Sequence, residues 1–378
     1  MNFVVRKNCI FCENALNDLF FKEDLTIPMS CYLVDKTETE HIFMPYNIYT
    51  CSICKTSQTK YLGDLNIIYK YNHADSTGNI MINLHKTVVN LLLKHQDKIN
   101  NIIEIGSAYG ILSNSVLDNL KMLEKYYIIE PSFLGTKKDR QILIGDFFEN
   151  VDNNLYKDAN TLIMSHVFEH FYNPNEILEK IHMAKNITNV LLVWPDLECY
   201  KDNNTCHVLN TEHTYYIDNN FVKILFNNHN FELIEECYYE NHSVIFLFKR
   251  NNDLIKQKLE NINYSISNYY NALLENKNKI YDFIKKNKEN YKKICIWPAS
   301  VHSQFLMMCL NLNSDSIDFV LDNSPNKIGK FMYGYNIKCE SFLDNCTNEK
   351  NAIILNGGCF NKEVAKLVSI NNDQTMIL

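Results

Sequence analysis

The sequence has no stretch of roughly 18 uninterrupted apolar residues, which excludes a spanning helix, and Met1 to Cys9 lacks the long apolar segment of a secretory signal. A cytoplasmic protein without a membrane partner is expected. Basic residues are scattered rather than clustered, and the formal charge is -7, so no broad positive field exists to hold a phosphate backbone. Nucleic acid is therefore not an expected partner. The full Gly-x-Gly-x-x-Gly fingerprint of dinucleotide binding is absent, and so is the Lys-Ser/Thr ending of a P-loop. There is no internal repeat and no low-complexity tract beyond general Asn and Lys enrichment.

What is present is length and cysteine. At 378 residues the chain exceeds the ~250 to 300 residues at which single cores stop growing, so two or three domains are expected. Thirteen cysteines, an odd number, point to reduced thiols, most of them buried as small apolar side chains. Four differ: Cys9-x-x-Cys12 and Cys51-x-x-Cys54 are two knuckles whose thiolates can close a tetrahedral zinc site. The alternative is merely buried or redox thiols. A closed four-thiolate site leaves no open position for substrate, so the metal is expected to be structural, and its removal to unfold the module.

Residues 1–75 read as this zinc-binding β module, with short strand-like runs at Cys31-Tyr-Leu-Val and His41-Ile-Phe-Met. Over 76–250 the pattern alternates: a helix at Met81 to Lys94, then strands at Asn101 to Ile105, Tyr126 to Glu130, Thr161 to Ser165 and Asn189 to Trp194, with helices between them. Strands near Phe231 to Tyr238 and Ser243 to Lys249 are expected to close the sheet. Apolar positions at Leu254, Leu259, Ile262, Ile266, Leu273, Ile280 and Phe283 suit long amphipathic helices across 251–293, a helical bridge. A second α/β pattern fills 294–378.

Ile102-Ile-Glu104-Ile-Gly106-Ser107-Ala-Tyr-Gly110 runs from strand to turn to helix. Gly106 and Gly110 let the backbone approach a ligand, and Glu104 can face an amine. Glu130 ends the next strand, where a carboxylate takes ribose hydroxyls; Asp146 ends a third and suits the adenine amino group. Each acid alone reads equally as a solvated loop residue. Three acids at successive strand ends favour S-adenosylmethionine over NAD.

These segments, with Glu130-Pro-Ser, Val167-Phe-Glu-His170, Glu212-His213-x-x-Tyr216 and Ile317-Asp-Phe-Val-Leu-Asp322-Asn-Ser-Pro325-Asn-Lys327-Ile-Gly329, resemble the sugar methyltransferase family whose best-known members act on carbon of nucleotide-linked 4-keto-deoxysugars. The resemblance covers nearly the whole chain. It implies an α/β architecture: a class I methyltransferase Rossmann-like domain between the N-terminal zinc module and a C-terminal Rossmann-like substrate domain. It implies a nucleoside-diphosphate sugar as substrate, His213 as base assisted by Glu212, His170 and Tyr71 facing the sugar, and Ser107 and His166 beside the cofactor. Three departures stand out: Asn210 where the family has Tyr, the altered stretch Asn72 to Gly78, and Pro298-Ala-Ser-Val-His-Ser303 in place of a Gly-Ala-rich turn. The alternatives are O-methylation of a sugar hydroxyl, a methyltransferase for small molecules or proteins, and a catalytically silent zinc-stabilised binding protein.

Overall fold

The computed structural model describes residues 3–16, 18–19, 25–36, 40–71, 78–202, 209–240, 242–260, 266–368 and 374–378. Its central sheet has seven strands: β1 (Ile102–Ile105), β2 (Tyr126–Ile129), β3 (Gln141–Ile144), β4 (Thr161–Ser165), β5 (Asn189–Pro195), β6 (Phe231–Tyr239) and β7 (Ser243–Arg250). They lie in the order β3-β2-β1-β4-β5-β7-β6, parallel through β5 and finished by antiparallel β7 and β6. Every residue of β1, β2 and β5 is buried, as continuous apolar runs covered on both faces must be. Helices Asn79–Lys94 and Ile111–Asn119 bury Leu84, Val88, Leu112 and Val116 against one face. Helices Pro174–Met183 and Asn219–Asn228 bury Ile177, Leu178, Phe221 and Val222 against the other. The Asp218 carboxylate starts the last of these by accepting from Phe221 N at 2.6 Å. The reversal of strand order between β1 and β4 leaves a crevice at their C-terminal ends. This is the class I methyltransferase arrangement expected above.

A second sheet of five parallel strands follows: β8 (Lys293–Trp297), β9 (Phe319–Asp322), β10 (Cys339–Ser341), β11 (Asn351–Leu355) and β12 (Thr375–Ile377), in the order β10-β9-β8-β11-β12. Its strand order also reverses, beside β8. The bridge differs from expectation. Only Ser267–Glu289 is helical, and 251–260 has no helix or strand; Ile262 lies outside the described residues. The apolar positions serve two cores rather than one stripe: Leu259 packs on the central cluster, whereas Leu273, Ile280 and Ile284 join that of the last domain.

The N-terminal segment does not stand apart. Its short strands Leu25–Pro28 and Phe43–Tyr46 pair with each other, while Leu33–Val34 pairs with Phe331–Met332 and Ser57–Thr59 with Tyr215–Tyr216. Ile27, Met29, Met44 and Tyr46 share one apolar cluster with Ile294, Phe305 and Val320. It is thus paired with segments on either side of the long helix Ser267–Glu289. No helix among the described residues is long and apolar enough to cross a membrane.

Candidate active site

A cavity opens at the C-terminal ends of the central strands, where an open α/β sheet holds its ligand. Gly106, Glu130, Asp146 and His166 line it; Glu104, Ser107 and Gly110 do not. The reason lies in the turn itself, which is left-handed at Gly106 (φ +73°), Ala108 (φ +50°) and Gly110 (φ +71°). A Cβ on Gly106 would stand 2.3 Å from Val167 Cγ2, so both conformation and space demand glycine there. Glu130 pins the turn: its carboxylate accepts from Ala108 N at 3.1 Å and Ser132 N at 2.9 Å, at the edge of the cavity. Ser107 closes the turn through its carbonyl, which accepts from Gly110 N at 2.8 Å. Glu104, read from the sequence as facing an amine, is buried and accepts from the Tyr126 hydroxyl at 2.8 Å; burial raises its carboxyl to about 7. Asp146 is fixed by Phe147 N at 2.7 Å and Asn150 Nδ2 at 2.8 Å, which aims its carboxylate at the cavity rim.

His170, Glu212 and Tyr71 line the same cavity. Tyr71 stands edge-on to Tyr32, with ring centroids 4.9 Å apart. Tyr69, two residues earlier, lines the cavity as well, and its hydroxyl lies 3.1 Å from His170 Nδ1. His213 is not a lining residue; its ring centroid is 5.4 Å from that of His170, and its side chain keeps 14% exposure. The carboxylate found 4.0 Å from His213 Nε2 is that of Glu169, which the sequence reading passed over in favour of Glu212. Glu212 instead accepts from Cys31 Sγ at 3.5 Å. Asn210, where a tyrosine was expected, uses its side-chain oxygen to accept from the backbone N of Glu212 and of His213, both at 2.9 Å. It fixes the loop that presents them. Of the altered stretch, Asn72 to Thr77 lie outside the described residues.

Burial leaves several imidazoles uncharged. It lowers His213 and His85 to about 4 and His242 to about 3, from 6.5. A histidine whose pKa falls on folding contributes stability that is complete above about 6.5 and lost as pH drops through the folded value. Glu104, raised from 4.5 to about 7, contributes in the opposite sense: its part is complete below 4.5 and lost as pH rises through 7. Three imidazoles outweigh one carboxyl between pH 6.5 and 4.5. The urea midpoint of unfolding is therefore expected to be lower at pH 5 than at pH 7; an equal or higher midpoint at pH 5 would contradict these placements.

The cysteine quartet is assembled as the spacing suggested. Sulfurs of Cys9, Cys12, Cys51 and Cys54 all lie within 4.8 Å of one another, with Cys9 to Cys54 at 3.4 Å and Cys12 to Cys51 at 3.5 Å. A tetrahedral zinc with bonds of ~2.3 Å needs sulfurs ~3.8 Å apart, so the set fits. The two knuckles are built alike: Glu13 N donates to Cys9 O and Lys55 N to Cys51 O, and both Glu13 (φ 62°) and Lys55 (φ 61°) are left-handed. The hydrogen bond with Cys54 holds Cys9 down to about 4 and raises Cys54 in turn; a divalent cation would replace that shared proton. Arg6, unforeseen in the sequence, connects this module to the segments that follow His170 and His213. Its buried guanidinium donates to the carbonyls of Thr59 at 3.1 Å, Thr214 at 2.8 Å and Tyr172 at 2.8 Å. Burial lowers it only to about 10, so it stays charged at neutral pH.

Residues 80–236 match the family model of a methyltransferase domain, and residues 253–354 match that of a C-methyltransferase C-terminal domain. None of the curated proteins compared with the chain matches it. Among solved structures, 1,6-didemethyltoxoflavin-N1-methyltransferase of Burkholderia thailandensis is 8% identical over 44% of this chain and 78% of its own, with a TM-score of 0.36. N-methyltransferase NodS of Bradyrhizobium japonicum WM9 is 9% identical over 47% and 99%, with a TM-score of 0.34. The methyltransferase domain of bacterial CtHen1-C is 13% identical over 46% and 100%, with a TM-score of 0.36. Each likeness covers less than half of this chain. Residues 80–236 thus match a methyltransferase domain, and the strand order of the central sheet is that of the class I methyltransferase fold.

Proposed function

We propose that the chain methylates carbon on a nucleoside-diphosphate deoxysugar, next to a 4-keto group, with His213 as base and a structural zinc in the cysteine quartet. One observation carries the reading: two imidazoles, His170 and His213, surround a buried carboxylate where the cofactor cavity meets Glu212 and Tyr71. The chain then continues into residues that match a C-methyltransferase C-terminal domain.

S-adenosylmethionine supplies a methyl group already activated on a sulfonium. The protein's tasks are to align a nucleophilic carbon and to move its proton. Gly106 allows close approach of the nucleoside, Glu130 accepts from the ribose hydroxyls, and Asp146 accepts from the adenine amino group. Phe147 and His166 wall the same space. Burial keeps the Tyr69 phenol protonated and able to donate to His170 Nδ1, 3.1 Å away; the tautomer that accepts this bond carries Nε2–H, a donor for the developing enolate oxygen. His213 removes the proton from the neighbouring carbon.

Carbon-13 NMR of the product formed from a nucleotide-linked 4-keto-deoxysugar is the test. A new methyl carbon bonded to a ring carbon is expected. A methoxy resonance would establish O-methylation instead, and no product together with no affinity for S-adenosylhomocysteine would promote the silent binding protein.

A further inference from the structure

Glu169 occupies an unusual place for a charged residue. It sits on the short turn Phe168–His170 after β4, is 1% exposed, and neither carboxylate oxygen accepts a hydrogen bond among the described residues. An unpartnered buried carboxylate is costly, so its surroundings must offer something else. They offer imidazoles. His166 Nδ1 is 3.4 Å and His213 Nε2 4.0 Å from Oε1, and His170 presents a third ring nitrogen within 4.8 Å. Glu212 and Tyr215 face the group from the loop that carries His213, and His242 from the start of β7. His166 Nε2 is itself 3.0 Å from Ser243 Oγ, which fixes its ring.

Building on the base assigned to His213, we propose that Glu169 is the counter-charge of that imidazole, an anion fixed 4.0 Å from Nε2 that stabilises the positive charge appearing when the ring accepts the substrate proton. The step balances. The C–H bond beside the ketone breaks, its proton passes to His213, and its electron pair becomes the enolate. The enolate carbon bonds the methyl group as the sulfur–methyl bond breaks, leaving a neutral thioether, and the proton departs from His213 to solvent. Before the step, burial keeps His213 neutral and 4.0 Å leaves it outside hydrogen-bond reach of Glu169. Once protonated, it faces an anion already in place. Burial opposes ionisation of Glu169, but His166 and the other two imidazoles outweigh it and hold the carboxyl below the usual range. The charge pair exists only while the imidazole is protonated, so it stabilises the transition state more than the resting site.

The test uses the full zinc-loaded chain as wild type, Glu169→Gln and Glu169→Asp, with kcat and kcat/KM for carbon methylation followed against pH and S-adenosylhomocysteine affinity measured by calorimetry. Glu169→Gln is expected to keep that affinity within ~2-fold and to lose ~10²- to 10³-fold in kcat. Its acid limb moves to lower pH, because no anion then favours the imidazolium. Glu169→Asp, which withdraws the charge by one methylene, falls between. Glu169→Gln turning over within ~3-fold of wild type, with its acid limb unmoved, overturns the proposal, as does wild-type turnover that requires an added divalent cation. Should Glu169→Gln fail to bind S-adenosylhomocysteine, Glu169→Asp decides: a shifted limb supports the proposal and an unshifted one overturns it. A wild type that methylates no carbon removes the reading of His213 instead, and is seen before any variant is made.

Discussion

Replacing His213 with asparagine is expected to lower carbon methylation by ~10³-fold or more while affinity for S-adenosylhomocysteine stays within ~2-fold. The first half follows from electrostatics. Burial holds this imidazole at about 4, so it is unprotonated and able to accept a proton at neutral pH. Such a weak base needs a nearby anion to become effective, and the carboxylate of Glu169 stands 4.0 Å from Nε2. Asparagine keeps a polar side chain of smaller size but cannot take the proton. The second half follows from position: His213 does not line the cavity formed by Gly106, Glu130 and Asp146. The loop itself is held through main-chain N–H groups by Asn210, so a side-chain change at 213 leaves it in place. Steady-state turnover and calorimetry on the same preparation check both halves. Turnover within ~10-fold of wild type would remove His213 from the chemistry.

Breaking the cysteine quartet is expected to be nearly as severe for turnover, although the quartet does not line the cavity. The strand Tyr215–Tyr216, which directly follows the Glu212 to Thr214 loop, is paired with Ser57 and Gln58 of the cysteine-bearing N-terminal module. Arg6, from the same module, ties down Thr214 and Tyr172 on both sides of the histidine pair. Melting the knuckles therefore releases the base. Cys51→Ser is expected to abolish stoichiometric zinc and to reduce turnover by ~10²-fold or more, since displacement of a base by about 1 Å costs that much. Affinity for S-adenosylhomocysteine should fall far less, because Gly106, Glu130 and Asp146 belong to the central sheet. Metal analysis, turnover and calorimetry distinguish the outcomes; a zinc-free variant with normal turnover would show that the module does not position the loop.

The sequence made the central sheet legible for a physical reason. Ile102 to Ile105 and Tyr126 to Ile129 are buried on both faces, so their apolar runs leave little else for them to be. The N-terminal region was less legible: its strands are two to four residues long, and two of them, Leu33–Val34 and Ser57–Thr59, pair with segments some 150 to 300 positions away, which no local periodicity records. The bridge misled because one apolar spacing served two separate cores. At the site, Glu130 and Asp146 could be placed beside the cavity from their positions at strand ends, since parallel strands bring those ends together, whereas His170 came only from the family resemblance. Glu104 and Ser107 could not be separated from them by sequence, because a left-handed turn decides which residues face the cavity. Glu169 was passed over because the family resemblance paired Glu212 with His213, whereas the carboxylate 4.0 Å from His213 Nε2 is that of Glu169 on the turn after β4. Arg6 offered no signal beyond being a lone arginine before a cysteine pair.

The decisive measurement is hydrogen exchange in deuterium oxide. A nucleotide-linked 4-keto-deoxysugar is incubated with the protein and S-adenosylhomocysteine, so that no methyl group can be transferred. Wild type is expected to replace the hydrogen on the carbon beside the ketone with deuterium, and His213→Asn to leave it at the uncatalysed rate. An absence of exchange in wild type that nonetheless binds both ligands, or equal exchange in the two proteins, would contradict proton removal by this imidazole.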